Sequence, residues 1–130
     1  MKNTSIESNP ILVLTFNFSL QIIDYCEKLD ELKKYHLSKQ LFRSGTSIGA
    51  NANEAQDGES KADFIHKFKI AAKEMKETKY WLKLCQQSKS YPDTEYLLQK
   101  LFEIEKVINK IIASSKRQHP LSYFMSIFIF

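Results

Sequence analysis

Apolar side chains recur at steps of three and four residues in four separate segments, the spacing of one buried face of an α-helix. The first segment starts near residue 10, where Val13, Thr15 and Phe16 would also suit a strand. The segment then continues at helical spacing for about twenty residues, which favours a helix. Its apolar positions are Ile11, Leu14, Phe18, Ile22, Tyr25, Leu29 and Leu32.

The second segment runs from about residue 37 to residue 56 and is rich in small side chains, including Gly45 and Gly49. A glycine inside a helix costs about 1 kcal/mol relative to alanine. We therefore expect another backbone to approach the helix closely there. After this segment, Gly58 suits the C′ position that ends a helix, and Ser60 suits the N-cap of the next one, with Asp63 at the capping-box position.

The third and fourth segments have equally regular apolar stripes, and Asp93 or Thr94 is expected to cap the fourth. The third stripe consists of Phe64, Phe68, Ala71, Met75, Thr78, Leu82 and Cys85. The fourth consists of Leu97, Leu101, Ile104, Ile108 and Ile111. Short connections make successive helices antiparallel neighbours. The pattern predicts an all-α fold, an antiparallel up-down-up-down four-helix bundle over residues 10–116.

Two terminal segments flank the predicted bundle. Residues 1–9 are polar and are expected to be flexible, and residues 117–130 form an apolar tail. The tail has roughly half the ~20 apolar residues that a membrane-spanning helix needs. Pro10, Asn17 and Gln21 interrupt the N-terminal apolar run, unlike in a signal peptide. We therefore expect a cytoplasmic protein that does not associate with a membrane.

Composition excludes several functional classes. Only three glycines and three prolines among 130 residues disfavour turn-dense β folds and glycine-rich phosphate loops. Cys26 and Cys85 are far apart in the sequence and are expected to be buried, reduced thiols. A di-iron bundle would need two Glu-x-x-His motifs, and only residues 63–66 approach one. We expect no catalytic residues, no metal and no cofactor.

A polar stripe lies beside the apolar stripe of the second helix. If the second and third helices are antiparallel, Arg43 lies level with Glu74 and Glu77, which share one face of the third helix. We interpret these residues as a structural polar network that fixes helix register or a subunit interface; a ligand or catalytic site is the alternative. The stripe on the second helix comprises Arg43, Ser47, Asn51 and Glu54.

Charge is concentrated in one segment. Residues 59–90 carry eight lysines and four acidic residues, a net +4 that equals the charge of the whole chain. The lysines form a stripe, either a solvated face or a binding site for RNA or DNA. Because the stripe has no arginine, we expect contacts to backbone phosphates and not to bases. The stripe consists of Lys61, Lys69, Lys73, Lys76, Lys79 and Lys83.

The motif R-S-x-x-S-I-x-x-N-x-x-E at residues 43–54 closely resembles that of a bacterial family of four-helix bundles. This family was first noticed as open reading frames inside intervening sequences of 23S ribosomal RNA genes. The resemblance continues through residues 64–67 and 73–82 and spans about residues 9–116. Ala52 and Asn53 depart from the family pattern, in which a bulkier apolar residue and then a small one are usual, and the apolar tail has no counterpart.

The family is also similar to the accessory protein of diversity-generating retroelements, a basic bundle that forms a pentameric ring. The resemblance therefore implies a homo-oligomer, with a pentamer expected, and a reverse transcriptase as partner only where a retroelement is adjacent. The sequence predicts a non-enzymatic, self-assembling bundle that binds nucleic acid without sequence preference. The alternative is a protein-binding adaptor or assembly module without a nucleic-acid role.

Overall fold

Four helices follow one another between residues 9 and 117, the part of the chain that this computed structural model describes. They are α1 (Pro10–Glu31), α2 (Tyr35–Ala55), α3 (Lys61–Gln87) and α4 (Glu95–Arg117). Each helix packs against the next, and α4 also packs against α1, which closes the bundle. The predicted all-α four-helix bundle is confirmed, and residues 9–117 contain no strand.

The start of α1 shows how local chemistry selects a helix over a strand. The Asn9 side-chain oxygen accepts a 3.2 Å hydrogen bond from the Ile11 backbone N–H, which is an N-cap. Pro10 occupies the first turn, where a missing backbone donor costs nothing. Asn9 is thus part of the helix start. The rest of the predicted flexible N-terminus and the apolar tail beyond residue 117 lie outside the described residues.

The core consists largely of the predicted apolar stripes. Phe64 and Ile111 are partly buried at its margin. Leu32 is the exception among the predicted core positions, because it lies at the C-cap of α1 and is exposed. The fully enclosed large apolar side chains are Phe18, Ile22, Leu29, Leu41, Ile48, Phe68, Leu82, Ile104 and Ile108.

Small residues let α1 and α2 approach each other closely within one chain. A Cβ atom on Gly45 would lie 2.9 Å from Ile22 Cγ1, and one on Gly49 would lie 3.2 Å from Thr15 Cβ. The expected close approach is therefore present, and its partner is α1 of the same chain. Consequently these glycines do not by themselves indicate a subunit interface.

The α1 and α2 helices end with different backbone conformations. Lys33 has a φ of 61°, and the Lys34 N–H bonds to the Leu29 carbonyl at 2.8 Å, which makes a Schellman motif after α1. Such a position normally favours glycine. By contrast, Gly58 has no positive φ, so its predicted role as a left-handed C′ residue is wrong. The α2 helix is instead followed by Gln56, whose backbone keeps the right-handed helical conformation.

The turn between α3 and α4 is bound to α1 and to α3. Tyr25 donates a 2.7 Å hydrogen bond to the Pro92 carbonyl, and Thr94 donates one of 3.1 Å to the Leu82 carbonyl. Asp93 accepts from the Glu95 N–H at 3.3 Å. The two candidate caps thus have separate roles. Asp93 caps the start of α4, and the buried Thr94 fixes α4 to α3.

Candidate nucleic-acid interface

A continuous row of lysines lies exposed on α3. The helix starts at Ser60, whose side-chain oxygen accepts a 3.1 Å hydrogen bond from the Asp63 N–H, so the predicted N-cap is confirmed. The helix extends for 27 residues, which places lysines spaced by three or four residues on one side. We call this row the lysine face; it consists of Lys69, Lys73, Lys76, Lys79 and Lys83, all exposed.

Lys79 borders α4 and differs from its neighbours. Its ammonium lies 3.9 Å from a Glu105 carboxylate oxygen, so part of its charge is neutralised. Within residues 9–117, the other four lysines of the face make no ion pair. Lys61 is also exposed, near the start of the helix. The face therefore presents a positive surface to solvent along several turns.

Arg43 on α2 bridges two glutamates of α3. Its guanidinium donates to Glu74 Oε1 at 3.1 Å and to Glu77 Oε2. The predicted contact between Arg43 and these glutamates is confirmed. The Arg43 side chain is nevertheless 48% exposed. Water screens such a pair, so its contribution to stability is modest.

Hydrogen bonding shifts the pKa of Glu77. The Arg43 guanidinium and, next, the Trp81 indole N–H, which donates to Glu77 Oε2 at 3.0 Å, lower the pKa of the Glu77 carboxyl below its ordinary value. The same contact with Glu77 raises the pKa of Arg43 further. Both side chains are therefore charged at neutral pH, and neither is suited to proton transfer.

The remaining residues of the predicted polar network mostly bond locally. Ser47 donates to the Arg43 carbonyl at 2.6 Å, and Asn51 donates to the Ser47 carbonyl at 2.9 Å. Glu54 pairs with Lys67 of α3 at 2.7 Å and not with Arg43. The predicted network is therefore two separate ion-pair bridges between α2 and α3, and the side chains of Ser47 and Asn51 bond to the α2 backbone between them.

Three polar contacts in this region were not predicted. Ser44 and Thr78 lie with their hydroxyl oxygens 2.9 Å apart in the buried interface between α2 and α3. The other two are the Glu54–Lys67 pair and the indole bond from Trp81. The Glu54–Lys67 pair follows from the same antiparallel register as the Arg43 contact, so the sequence could have predicted it from that register.

Both cysteines are buried free thiols, as expected. Cys26 and Ser38 bond reciprocally, because Cys26 Sγ donates to the Ser38 carbonyl at 3.4 Å and Ser38 Oγ donates to the Cys26 carbonyl at 3.2 Å. Burial raises the pKa of Cys26 to about 11 and also raises that of Cys85. Thiols of this kind remain protonated at neutral pH and are poor nucleophiles.

Two further observations concern the described residues alone. Between residues 9 and 117, no three histidine, cysteine or acidic side chains are grouped in a way that would hold a metal ion. None of the four helices there combines the length and apolar character required to cross a membrane.

Comparison with known proteins places the chain in a family. It is similar in structure to a protein of unknown function from the S23 ribosomal protein family of Bacteroides thetaiotaomicron VPI-5482. The two share 39% sequence identity with a TM-score of 0.75, over 78% of this chain and 97% of the other. No curated protein matches the chain.

The same assignment follows from the sequence motifs of the described bundle. The model of the 23S rRNA-intervening sequence proteins matches residues 7–110, which include α1, α2, α3 and most of α4. Neither this description nor that of the Bacteroides protein names an enzymatic activity. The chain belongs to the 23S rRNA-intervening sequence protein family.

Proposed function

We propose that this protein is a non-enzymatic, self-assembling bundle of the cytoplasm that binds RNA or DNA through the lysine face without sequence preference. The observation that supports this function is the set of four exposed lysines on one helix that make no ion pair within residues 9–117. Because α3 is packed along its length against α2 and α4, the lysines project from a rigid element.

The geometry of the lysine face suits a nucleic-acid backbone. Lys69 and Lys83 are 14 positions apart, a rise of about 21 Å along a helix. This length covers about six phosphates of one strand of a duplex, at roughly 3.4 Å each. Lysine is a point charge without the planar fork that recognises bases. Arg43 has that fork but directs it at Glu74 and Glu77. Binding therefore depends on charge and not on sequence.

Self-assembly is supported by exposed apolar side chains beside the groove between α1 and α2. Phe16 on α1 and Tyr35 and Phe42 on α2 are exposed along the groove between these two helices. Apolar side chains that are exposed together beside a groove mark a candidate protein contact. We propose that a second copy of the chain covers this groove, with a pentamer as the expected assembly. Assembly would repeat the lysine face and strengthen binding by multivalency.

A salt titration tests nucleic-acid binding directly. Labelled RNA and DNA of random sequence are titrated with the wild type and with the triple variant Lys69→Gln, Lys73→Gln, Lys76→Gln. Each lost phosphate contact should reduce the slope of log K against log salt by about 0.9 on duplex or about 0.7 on single strands. We expect a flatter slope and weaker binding for the variant, with unchanged helix content by circular dichroism.

The matched control removes the same charge elsewhere. Lys28, Lys33 and Lys110 are exposed residues of α1, the first turn and α4, and their replacement by glutamine should leave the slope unchanged. Equal loss of binding in both triple variants would mean that net charge alone is responsible. Absence of binding by the wild type at low salt would contradict the proposal and favour the protein-binding adaptor.

A further inference from the structure

One aromatic residue lies within the lysine face. Tyr80 follows Lys76 by four positions and precedes Lys83 by three, so all three side chains are neighbours on one surface of α3. At 60% it is the most exposed large hydrophobic side chain between residues 9 and 117. Burial in the core therefore does not account for this tyrosine.

The ring of Tyr80 is supported from one side. It meets the neighbouring Trp81 ring edge-on, with centroids 5.4 Å apart and an interplanar angle of 64°. Trp81 is half-buried and is held by its hydrogen bond to Glu77, which Arg43 also binds. The α2–α3 bridge is thus linked to Tyr80 through Trp81.

Tyr80 differs from two other exposed aromatic residues in its access to a ligand. Lys100 lies over the Tyr96 ring at 5.6 Å from the centroid, and Lys106 lies over the Phe102 ring at 4.9 Å. In the described part of the chain, no lysine or arginine lies over Tyr80 in this way. The Tyr80 ring thus remains available while the surrounding lysines project to solvent.

We propose that Tyr80 is a stacking platform for an unpaired base, so that the lysine face binds single-stranded RNA or DNA in preference to duplex. An exposed ring among cations matches a base flanked by its own phosphates, and stacking tolerates any base sequence. The bases of a duplex are stacked on one another and cannot reach a ring on a convex helix. This inference rests on the proposed nucleic-acid function and defines its substrate class.

The natural fluorophore of the chain provides a local readout. Trp81 is the only tryptophan in the sequence and touches Tyr80, so a base on Tyr80 should change its emission. The ligands are oligo(dT), oligo(U), a duplex of the same length and a single strand of abasic residues with the same number of phosphates. The proteins are the wild type, Tyr80→Leu, Tyr80→Phe and, as control, Phe102→Leu, since Phe102 is 57% exposed on α4.

Tyr80→Leu should weaken binding of both single strands about tenfold, within the range known for stacked aromatic residues. Its salt slope should equal that of the wild type, because no charge is removed. Tyr80→Phe and Phe102→Leu should bind as the wild type does. The duplex and the abasic strand should not distinguish wild type from Tyr80→Leu.

Two results would overturn this inference, and they differ from failure of the proposed function. If Tyr80→Leu binds oligo(dT) and oligo(U) as tightly as the wild type, or loses the same factor on the abasic strand, Tyr80 does not stack on bases while phosphate binding stands. If the wild type binds none of the four ligands at low salt, the proposed function fails and this inference fails with it.

Discussion

Thr78 Oγ1 and Ser44 Oγ lie 2.9 Å apart where α2 and α3 pack, and both side chains are fully buried. Thr78 also bonds to the Glu74 carbonyl at 2.8 Å, so it retains one partner if Ser44 is lost. A buried hydroxyl pair costs free energy when broken on one side and little when both members are replaced by apolar groups of similar shape. The pair therefore fixes the register of the two helices more than it stabilises them.

A double-mutant cycle tests this relationship. Ser44→Ala and Thr78→Val should each lower the free energy of unfolding by about 1 kcal/mol, since each leaves a buried polar group with fewer partners. The double variant should lose less than the sum of the two. Urea unfolding of the wild type, the two single variants and the double variant gives the four free energies of unfolding, which are comparable if the m-value is unchanged. Strict additivity would show that the two hydroxyls are not coupled.

Arg43→Ala should cost only about 0.5–1 kcal/mol, despite the two carboxylates that the guanidinium meets. The 3–5 kcal/mol typical of a broken buried pair does not apply, because half of the Arg43 side chain is exposed. Urea unfolding at low and high salt measures the effect. A loss above 3 kcal/mol that is insensitive to salt would mean that the bridge is shielded from water, for example in an assembly.

The Arg43–Glu77 contact should also be pH-dependent. The pKa of Glu77 is lowered in the folded chain, so its contribution is present above the ordinary glutamate pKa of about 4.3 and is lost as the pH falls below it. The difference in unfolding free energy between wild type and Glu77→Gln should therefore shrink from pH 7 towards pH 3. A difference that grows on acidification would contradict the assigned direction.

Lys33→Gly should stabilise the protein by about 1 kcal/mol. Lys33 adopts a left-handed conformation that disfavours residues with a Cβ atom, whereas glycine adopts it readily. The gain in the folded state exceeds the entropy that glycine adds to the unfolded chain. Lys33→Ala removes the same charge and side chain without this relief, so it is the control and should not stabilise. Thermal and urea unfolding of the three proteins measure the effect.

Gly45→Ala should destabilise the bundle by about 1 kcal/mol or more, although alanine is the better helix former. The new Cβ would lie 2.9 Å from Ile22 Cγ1, on a side chain that is completely enclosed. Shortening the neighbour should relieve the clash, so the same change should cost less on an Ile22→Ala background. If Gly45→Ala proves stabilising in the wild type, α1 and α2 are not held at this separation.

Light scattering tests assembly. The wild type at micromolar concentration should have a mass that is a multiple of 15.2 kDa, with five copies expected. Phe42→Ser should lower this mass without loss of helix content, because Phe42 is exposed on α2 in the single chain. Phe102→Ser, at an exposed aromatic residue of α4, is the control. A wild-type mass of 15.2 kDa would contradict self-assembly.

Much of the bundle was determined by the sequence itself, because helical periodicity and caps are local properties. The spacing of Phe18, Ile22 and Leu29 identified the buried face of α1, and Ser60 located the start of α3. The contact of Arg43 with the two glutamates also followed, since antiparallel neighbours joined by a short turn leave little freedom of register. The row of lysines on α3 was likewise evident from their spacing.

Only the tertiary structure decided which partner each exposed or small residue meets. Gly45 is compatible with any close helix approach, and the packing of α1 directs it to Ile22 of the same chain. In the turn after α1, Lys33 adopts a left-handed conformation, whereas Gly58 in the turn after α2 does not. The path between the helices thus overrides the local preference of a residue. Helical spacing alone places Tyr80 among the lysines of α3, whereas only the structure shows that, within residues 9–117, no lysine lies over its ring as Lys100 does over Tyr96.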